Sequence, residues 1–173
     1  ADLIYEKILG VRGAFFTRIA YITAKRQTDN PEYAIWVADS DGYNPQRIVW
    51  NSQPFISPSW SPDGRYLAYV SFEHGGQSIY MHEVSTGSRR RLTSYKGING
   101  APAFSPDGRQ MALTLSKDGN PDIYVMDIAS GRLNRVASHY SIDTEPAWMP
   151  NGQEILFTSD RAGKPQIYRV SAA

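Results

Sequence analysis

Five carboxylates lie in segments of the sequence that are rich in turn residues, and their side chains are the ones best suited to chemistry. They are Asp118, Asp122, Asp143, Glu145 and Asp160. If these segments meet at one end of the domain, the carboxylate oxygens attract a hard cation such as Ca2+. The competing interpretation is turn chemistry, because Asp also caps backbone groups in loops. The sequence predicts no other cofactor.

No familiar catalytic motif accompanies these carboxylates. The sequence lacks Gly-x-Ser-x-Gly, His-Glu-x-x-His and a phosphate-binding loop. Its three histidines, His74, His82 and His139, are not paired at metal-ligand spacing. The absence of cysteine excludes a thiolate metal site, a cysteine nucleophile and a disulfide framework. These observations predict a protein that is not an enzyme and has no resident metal.

Charge and hydropathy exclude two classes of partner. The 173 residues carry 18 basic and 17 acidic side chains, and the one basic cluster is Arg89–Arg91, so no electrostatic footprint for nucleic acid is present. Apolar runs such as Ile19–Ile22 fall far short of the roughly 18 residues that a membrane-spanning helix requires. A hydrophobic content of 41% nevertheless suits a domain with a substantial core.

The sequence repeats with a period of 44 residues. The segments Trp60–Gly64, Phe104–Gly108 and Trp148–Gly152 share an aromatic residue, one intervening residue and then Pro-Asp-Gly or Pro-Asn-Gly, and they begin at 60, 104 and 148. The same offset aligns Ile79-Tyr80 with Ile123-Tyr124. Several independent columns that agree without a gap indicate a repeat architecture.

Each complete repeat predicts four short antiparallel strands. In one repeat, strands are predicted near 58–60, 65–71, 78–84 and 89–93, between clusters of turn residues. Ser-Pro-Asp-Gly places Pro and Gly at the second and fourth positions of a type I turn, which makes a hairpin. Tyr66–Val70 is apolar at consecutive positions, which is typical of a strand covered on both faces. We therefore predict an all-β propeller, with Trp60, Phe104 and Trp148 packing between blades.

The strand count predicts an incomplete propeller. Four units contribute three, four, four and three strands, since a first strand is missing before Arg18 and a fourth is missing after Val170. Residues 1–16 do not fit a blade. Asp2 and Gly10 flank an apolar pattern that predicts a short capped helix. We divide the chain into an interdomain junction, 1–16, and a partial β-propeller domain, 17–173.

Four motifs resemble the TolB family of the Tol–Pal system. The run Asp2–Tyr21 is similar to that family's junction between its N-terminal domain and its propeller. Asn99–Gly108, Tyr124–Asp127 and Asp143–Pro146 are similar to propeller motifs in the same order. The resemblance implies a six-bladed propeller, of which this chain covers about four blades at the 44-residue repeat length. It also implies that the family's C-terminal residues supply the strand missing before Arg18.

The resemblance further implies a function. TolB proteins are non-enzymatic periplasmic scaffolds that bind the peptidoglycan-associated lipoprotein Pal, act with other Tol proteins in cell envelope integrity and cell division, and are exploited by colicin translocation peptides in bacteriocin transport. Carried over by motif, the partner-binding residues lie on two connecting loops one repeat apart. They are Ile98, Asn99, Gly100, Ala101 and Pro102 on the first loop, and Asp143, Thr144, Glu145 and Pro146 on the second.

Strand alternation predicts where these loops lie. In a blade of four antiparallel strands, the connections between blades share an end with the loops between second and third strands, and the Ser-Pro-Asp-Gly turns lie at the other end. The segments 72–77, 94–102, 116–122, 138–146 and 159–165 should therefore cluster. Because binding usually resides in variable loops on a rigid frame, we expect the partner at this end.

Two alternatives are compatible with the sequence. Ser-Pro-Asp-Gly repeats also occur in the gating propellers of prolyl-oligopeptidase-like serine peptidases, and a downstream Gly-x-Ser-x-Gly domain in the full-length gene would favour that function. A propeller that binds or hydrolyses carbohydrate requires carboxylates that converge at about 5–9 Å.

Overall fold

The computed structural model describes residues 2–10, 17–25 and 31–173. Within these ranges the chain forms one helix and fourteen strands, arranged in antiparallel sheets of three, four, four and three strands. The all-β prediction and the predicted strand count are both confirmed. The elements are α1 Asp2–Leu9, β1 Arg18–Lys25, β2 Glu32–Asp39, β3 Gln46–Asn51, β4 Phe55–Trp60, β5 Tyr66–Ser71, β6 Ser78–Glu83, β7 Arg89–Thr93, β8 Asn99–Phe104, β9 Gln110–Leu115, β10 Asp122–Asp127, β11 Leu133–Ala137, β12 Asp143–Trp148, β13 Glu154–Ser159 and β14 Gln166–Ser171.

The chain divides into two compact units, Ala1–Ser52 and Gln53–Ala173. The first unit contains α1 and the sheet β1-β2-β3. The helix ends as the sequence predicts, because Gly10 adopts a left-handed φ of 70° and its N–H donates to the carbonyl of Glu6 at 2.9 Å. Residues 11–16 of the predicted interdomain junction, 1–16, lie outside the described residues. Among the residues that the structure describes, no helix is long and apolar enough to span a membrane.

The second unit contains three sheets that pack face to face. Ala68, Val70 and Ile79 of one sheet join Leu113 and Leu115 of the next in a buried cluster. A second cluster connects the sheet β8–β11 to the sheet β12–β14. Phe104 is part of the first cluster and Trp148 packs against the second, which confirms their predicted place in the core. The middle sheet, β8–β11, is covered on both faces, as the consecutive apolar positions along β9 require.

The Ser-Pro-Asp-Gly turns join the first and second strands of a sheet, as the sequence predicts. Gly64 N–H donates to the Ser61 carbonyl at 2.9 Å, and the Ser61 hydroxyl donates to Asp63 at 2.6 Å. Asp63 also accepts from the backbone N–H of Arg65 at 3.0 Å, and these hydrogen bonds lower the pKa of Asp63. The turn at Ser105 repeats the same bonds. This end of the unit is therefore regular and internally satisfied.

His82 is a buried histidine in the second unit. Its ring nitrogens have no hydrogen-bond partner among the described residues. It pairs across the sheet with Leu67 and Arg89, and its ring centroid lies 6.3 Å from that of Tyr69. Burial lowers the pKa of His82 below its ordinary value of 6.5, and the positive charge of Arg89 lowers it further. The folded protein therefore favours the neutral ring.

We expect the protein to lose stability as the pH falls from about 7.5 to about 5.5. The folded pKa of His82 lies below the unfolded pKa, so below about pH 6.5 the unfolded chain binds a proton that the folded chain excludes. This group lowers the free energy of unfolding by at most about 1.4 kcal/mol per pH unit. Urea titrations of wild type and His82→Leu at both pH values measure the effect, and equal pH slopes for the two proteins would contradict it.

Candidate functional site

Five connecting segments of the second unit lie at one end of its sheets, which we call the loop end. They are 72–77, 94–98, 116–121, 138–142 and 160–165. Hydrogen bonds join segments from neighbouring sheets: the N–H of Asn99 donates to the Gln77 side chain at 3.0 Å, and the N–H of Asp143 donates to the Pro121 carbonyl at 2.9 Å. The predicted clustering of these segments is confirmed.

The prediction that the candidate residues lie on two connecting loops is wrong. β8 begins at Asn99 and β12 begins at Asp143, so of the nine candidate residues only Ile98 lies in a loop. The physical reason is a β-bulge in each strand, with the pairing register shifting between Gly100 and Ala103 and again one repeat later. The bulge absorbs the irregular residues and allows the strand to pair on both sides of them.

A third bulge of the same kind lies in β4, and the three bulges hold three non-glycine residues in the left-handed region. Ser57, Ala101 and Glu145 have φ of 53°, 47° and 54°, and they are spaced one repeat apart on β4, β8 and β12. Such residues cost free energy and cluster at functional sites. Their side-chain types do not predict this conformation. The proline that follows each of them recurs with the 44-residue period and marks the positions, but it does not predict the left-handed φ, because proline biases the preceding residue towards extended backbone.

Burial separates the nine candidate residues into two groups. Four of them are buried and cannot contact a partner directly, and these are Asn99, Pro102, Asp143 and Pro146. Ile98 and Glu145 are exposed, and three more residues are half-buried, namely Gly100, Ala101 and Thr144. The structure therefore brings all nine to the same end of two neighbouring sheets and exposes only part of the set.

Asn99 shapes the loop before β8. Its side-chain amide donates to the carbonyls of Tyr95 and Gly97 at 2.6 and 3.2 Å, and its amide oxygen accepts from the N–H of Tyr95 at 3.0 Å. The fully buried side chain thus satisfies backbone groups that no strand pairs. Asn99 is a structural residue of the site rather than a contact.

Asp143 lies one repeat after Asn99, but its side chain pairs with an arginine rather than with backbone groups. Its fully buried carboxylate accepts two hydrogen bonds from the Arg161 guanidinium, at 3.0 and 2.9 Å. Arg161 also stacks over the Tyr168 ring, with its Cζ 4.6 Å from the ring centroid. Sequence reasoning missed Arg161. The sequence does carry one signal, because the equivalent position of three successive repeats is charged. The residues there are Glu73, Lys117 and Arg161.

Three other carboxylates of the loop end, those of Asp118, Asp122 and Asp160, each form their own hydrogen bonds or ion pair. Asp122 is buried and pairs with Arg135, and burial raises the pKa of Asp122. Asp118 accepts from Lys117 at 2.6 Å and from the Tyr124 hydroxyl at 2.7 Å. Asp160 accepts from the N–H of Ile142 at 2.9 Å. Within the described ranges no group of three or more His, Asp or Glu side chains is arranged to hold a metal ion, so the geometry gives no support to the alternative of a Ca2+ site.

Gly97 is a further residue on which the loop before β8 depends. Its φ is +86°, and a Cβ placed there would lie 2.3 Å from the Ser116 hydroxyl oxygen. That hydroxyl accepts from the N–H of Ile98 at 2.7 Å. A larger residue at position 97 would therefore displace the side chain that holds the loop.

Gly97→Ala is expected to destabilise the protein by about 2 kcal/mol, through left-handed strain and the loss of one hydrogen bond. Gly75→Ala is the matched control, because Gly75 has a φ of +78° and a Cβ added there would meet no atom within 4 Å. It should show the strain alone. Urea denaturation of both variants measures the difference, and equal losses would show that the contact with Ser116 is unimportant.

The sequence that forms these repeated sheets matches a known family along nearly the whole chain. Residues 5–173 match the family model described as the TolB beta propeller domain. The chain belongs to the TolB β-propeller family. Its four antiparallel sheets are therefore blades of an incomplete TolB propeller, and the predicted resemblance is confirmed.

Individual relatives agree with this assignment. The chain is 62% identical over 101 residues to the Tol-Pal system protein TolB of Xylella fastidiosa (strain M12), and the match covers 58% of this chain and 23% of that protein. It superposes on the crystal structure of TolB from Acinetobacter baumannii with a TM-score of 0.88 and 45% identity, over 97% of this chain and 42% of that one. The chain thus spans less than half the length of these TolB relatives.

A more distant structure shares the fold alone. A puromycin-hydrolyzing peptidase from Mycobacterium tuberculosis matches with a TM-score of 0.69 at 18% identity, over 90% of this chain and 25% of that one. At this identity the likeness carries no argument about peptide hydrolysis.

Proposed function

We propose that this TolB-family chain is part of a non-enzymatic periplasmic scaffold that binds the lipoprotein Pal through its loop end. In this role it acts with other Tol proteins in cell envelope integrity and cell division, and colicin translocation peptides exploit the same scaffold. Membership of the TolB family supports the assignment to the Tol–Pal system. The choice of the loop end as the binding surface rests on its geometry.

The single observation that carries the proposed surface is the state of Glu145. A bulge holds its backbone at a φ of 54°, and its side chain is exposed. No hydrogen bond or ion pair to its carboxylate is found among the described residues, whereas Asp118, Asp122, Asp143 and Asp160 are all engaged. An exposed, unpaired carboxylate on a strained segment is available to accept hydrogen bonds from a partner's backbone or basic side chain.

The opposite end of the second unit, where the Ser-Pro-Asp-Gly turns lie, presents carboxylates that already form hydrogen bonds within their own turns. The carboxylates of Asp63 and Asp107 are already engaged by the hydroxyl and the backbone N–H of their own turns. In each turn both bonds are accepted by one oxygen, Oδ1, and they hold the carboxylate against its own turn. The contrast between the two ends supports binding at the loop end.

We also propose the division of the chain into an interdomain junction, 1–16, and a partial propeller, 17–173. In α1 the side chains of Leu3, Ile4 and Ile8 are all exposed. Exposed large apolar side chains on one short helix are typical of a segment that packs against a further element. This observation supports a junction rather than a free terminus.

Co-elution of the purified protein with the periplasmic domain of Pal from the same genome tests the proposed function. Size-exclusion chromatography with light scattering is expected to show a complex with the summed mass of the two proteins. Separate elution at concentrations well above the micromolar range would overturn Pal as the partner. The presence of a Gly-x-Ser-x-Gly hydrolase domain in the complete gene, with turnover of peptide substrates, would instead favour a peptidase propeller.

A further inference from the structure

An open cleft of about 330 Å³ lies along β7, the edge strand of the sheet β4–β7. Its walls are formed by Arg91, Leu92, Thr93, Ser94 and Tyr95, and we call it the β7 cleft. Its volume is close to the lower limit for pockets that hold small molecules. A guanidinium only donates hydrogen bonds, and the three hydroxyl side chains can also donate. The lining therefore suits a small ligand that accepts hydrogen bonds.

The donors of the β7 cleft are not used by the protein itself. The side chains of Arg91 and Ser94 are exposed, and neither forms a hydrogen bond or ion pair within the described ranges. Thr93 is only 3% exposed, and its hydroxyl has no hydrogen-bond partner in the part of the chain that the structure describes. A buried hydroxyl without a partner costs free energy and calls for an explanation.

The next blade shows what an arginine at this position binds when the protein supplies the acceptor. Arg135 lies one repeat after Arg91, and the register of β10 with β11 around it is the same as that of β6 with β7, with a bulge at the same place. Arg135 forms an ion pair with the fully buried carboxylate of Asp122. In the first unit, the arginine one repeat before Arg91 also pairs with a carboxylate, that of Glu32. The equivalent of Asp122 beside Arg91 is Ser78, which carries no charge.

The charges around the β7 cleft leave it positive. Two carboxylates of adjoining segments are each matched by a cation of their own, Glu73 by Arg89 and Asp118 by Lys117. Arg90 donates to a neutral backbone carbonyl at 2.8 Å. The guanidinium of the cleft is therefore not compensated by a carboxylate of the described residues, and its field attracts an anion.

We propose that the β7 cleft binds a carboxylate ligand, which takes beside Arg91 the place that Asp122 takes beside Arg135. The planar guanidinium matches a carboxylate with two parallel hydrogen bonds, and the hydroxyls of Thr93 and Ser94 supply further donors. A free small molecule and the C-terminus of a peptide present the same carboxylate group. The cleft contains none of the nine candidate residues for Pal, so this site does not depend on the proposed function.

Nuclear magnetic resonance titration of the complete protein with sodium acetate, at an ionic strength held constant with sodium chloride, tests the proposal. The amide signals of Ser94 and Tyr95 should shift and saturate. Arg91→Leu should weaken acetate binding by at least about tenfold, because it removes the charged donor pair. Arg90→Leu is the matched control. It removes the same charge from a residue outside the cleft walls and should change the affinity by less than about twofold.

A second variant returns the missing carboxylate to the protein. Ser78→Asp should pair with Arg91 as Asp122 pairs with Arg135, and it should prevent acetate binding while the other amide signals show a folded protein. Urea denaturation should show that Ser78→Asp costs less stability in the wild type than in the Arg91→Leu background. Equal costs in the two backgrounds would show that position 78 does not face Arg91 and would overturn the assignment.

Two peptides distinguish the sources of the carboxylate. N-acetyl-triglycine that binds more tightly than acetate would identify a peptide C-terminus as the ligand, and equal or weaker binding would identify a small free carboxylate. N-acetyl-triglycine amide, which lacks the carboxylate, should not bind. Equal binding of the amide, acetate shifts that do not saturate, or equal losses in Arg90→Leu and Arg91→Leu would each overturn the carboxylate site.

Discussion

Glu145→Lys is expected to weaken the binding of Pal to the complete propeller by more than about tenfold, or roughly 1.4 kcal/mol. Glu145 is exposed at the bulge of β12, and its carboxylate has no partner among the described residues. Reversing its charge replaces an acceptor with a donor of opposite sign at a contact that binding partly desolvates. Titration calorimetry of wild type and variant measures the change.

Asp107→Ala is the control for this prediction because it removes a carboxylate at the opposite end. Asp107 accepts from Ser105 and from the N–H of Arg109 within its own turn, so its loss should leave the affinity almost unchanged. Circular dichroism must show that both variants remain folded. Equal losses of affinity would indicate damage to the fold, and a loss confined to Asp107→Ala would place the partner at the turn end.

Arg161→Leu is expected to lower the free energy of unfolding by about 3 kcal/mol. The Asp143 carboxylate is fully buried and relies on both guanidinium hydrogen bonds, while the Arg161 side chain is only 27% exposed. Removing the arginine leaves a buried charge without compensation, and that penalty exceeds the loss of a pair on the surface. Urea denaturation followed by circular dichroism gives the change in stability.

Two further variants identify the cause of that loss. Arg169→Leu removes an ion pair to Glu154 on the same sheet, at 3.3 Å and with side chains 65% and 31% exposed, so it should cost less than about 1 kcal/mol. Adding Asp143→Asn to Arg161→Leu removes the buried charge and should recover part of the stability. Losses of similar size for Arg161→Leu and Arg169→Leu, or no recovery in the double variant, would contradict the buried-charge explanation.

The blades could be predicted from the sequence because their signals are local and repeated. Each Ser-Pro-Asp-Gly turn carries its own hydrogen bonds, and each consecutive apolar run, such as Tyr66–Val70, implies cover on two faces. The period of 44 residues then fixes the strand order from one blade to the next. The predicted strands 78–84 and 89–93 differ from β6 and β7 by at most one residue at either end.

The candidate site was less accessible to sequence reasoning because its features depend on the three-dimensional pairing of strands. Asn99-Gly100-Ala101-Pro102 looks like a turn, yet a bulge places it inside β8. Asp143 looks like an exposed loop carboxylate, yet it is buried, and Arg161 from a segment 18 residues later pairs with it. Neither the left-handed conformation of Glu145 nor the exposure of Tyr140 follows from residue type.

Hydrogen–deuterium exchange with and without Pal tests most directly whether the loop end is the partner surface. We expect Pal to slow backbone exchange at 94–102 and 138–146, where the loops and the bulged strand starts lie. Exchange at the turns 61–65 and 105–109 should not change. Protection confined to those turns, or no protection anywhere in Gln53–Ala173 while Pal is bound, would contradict the proposal.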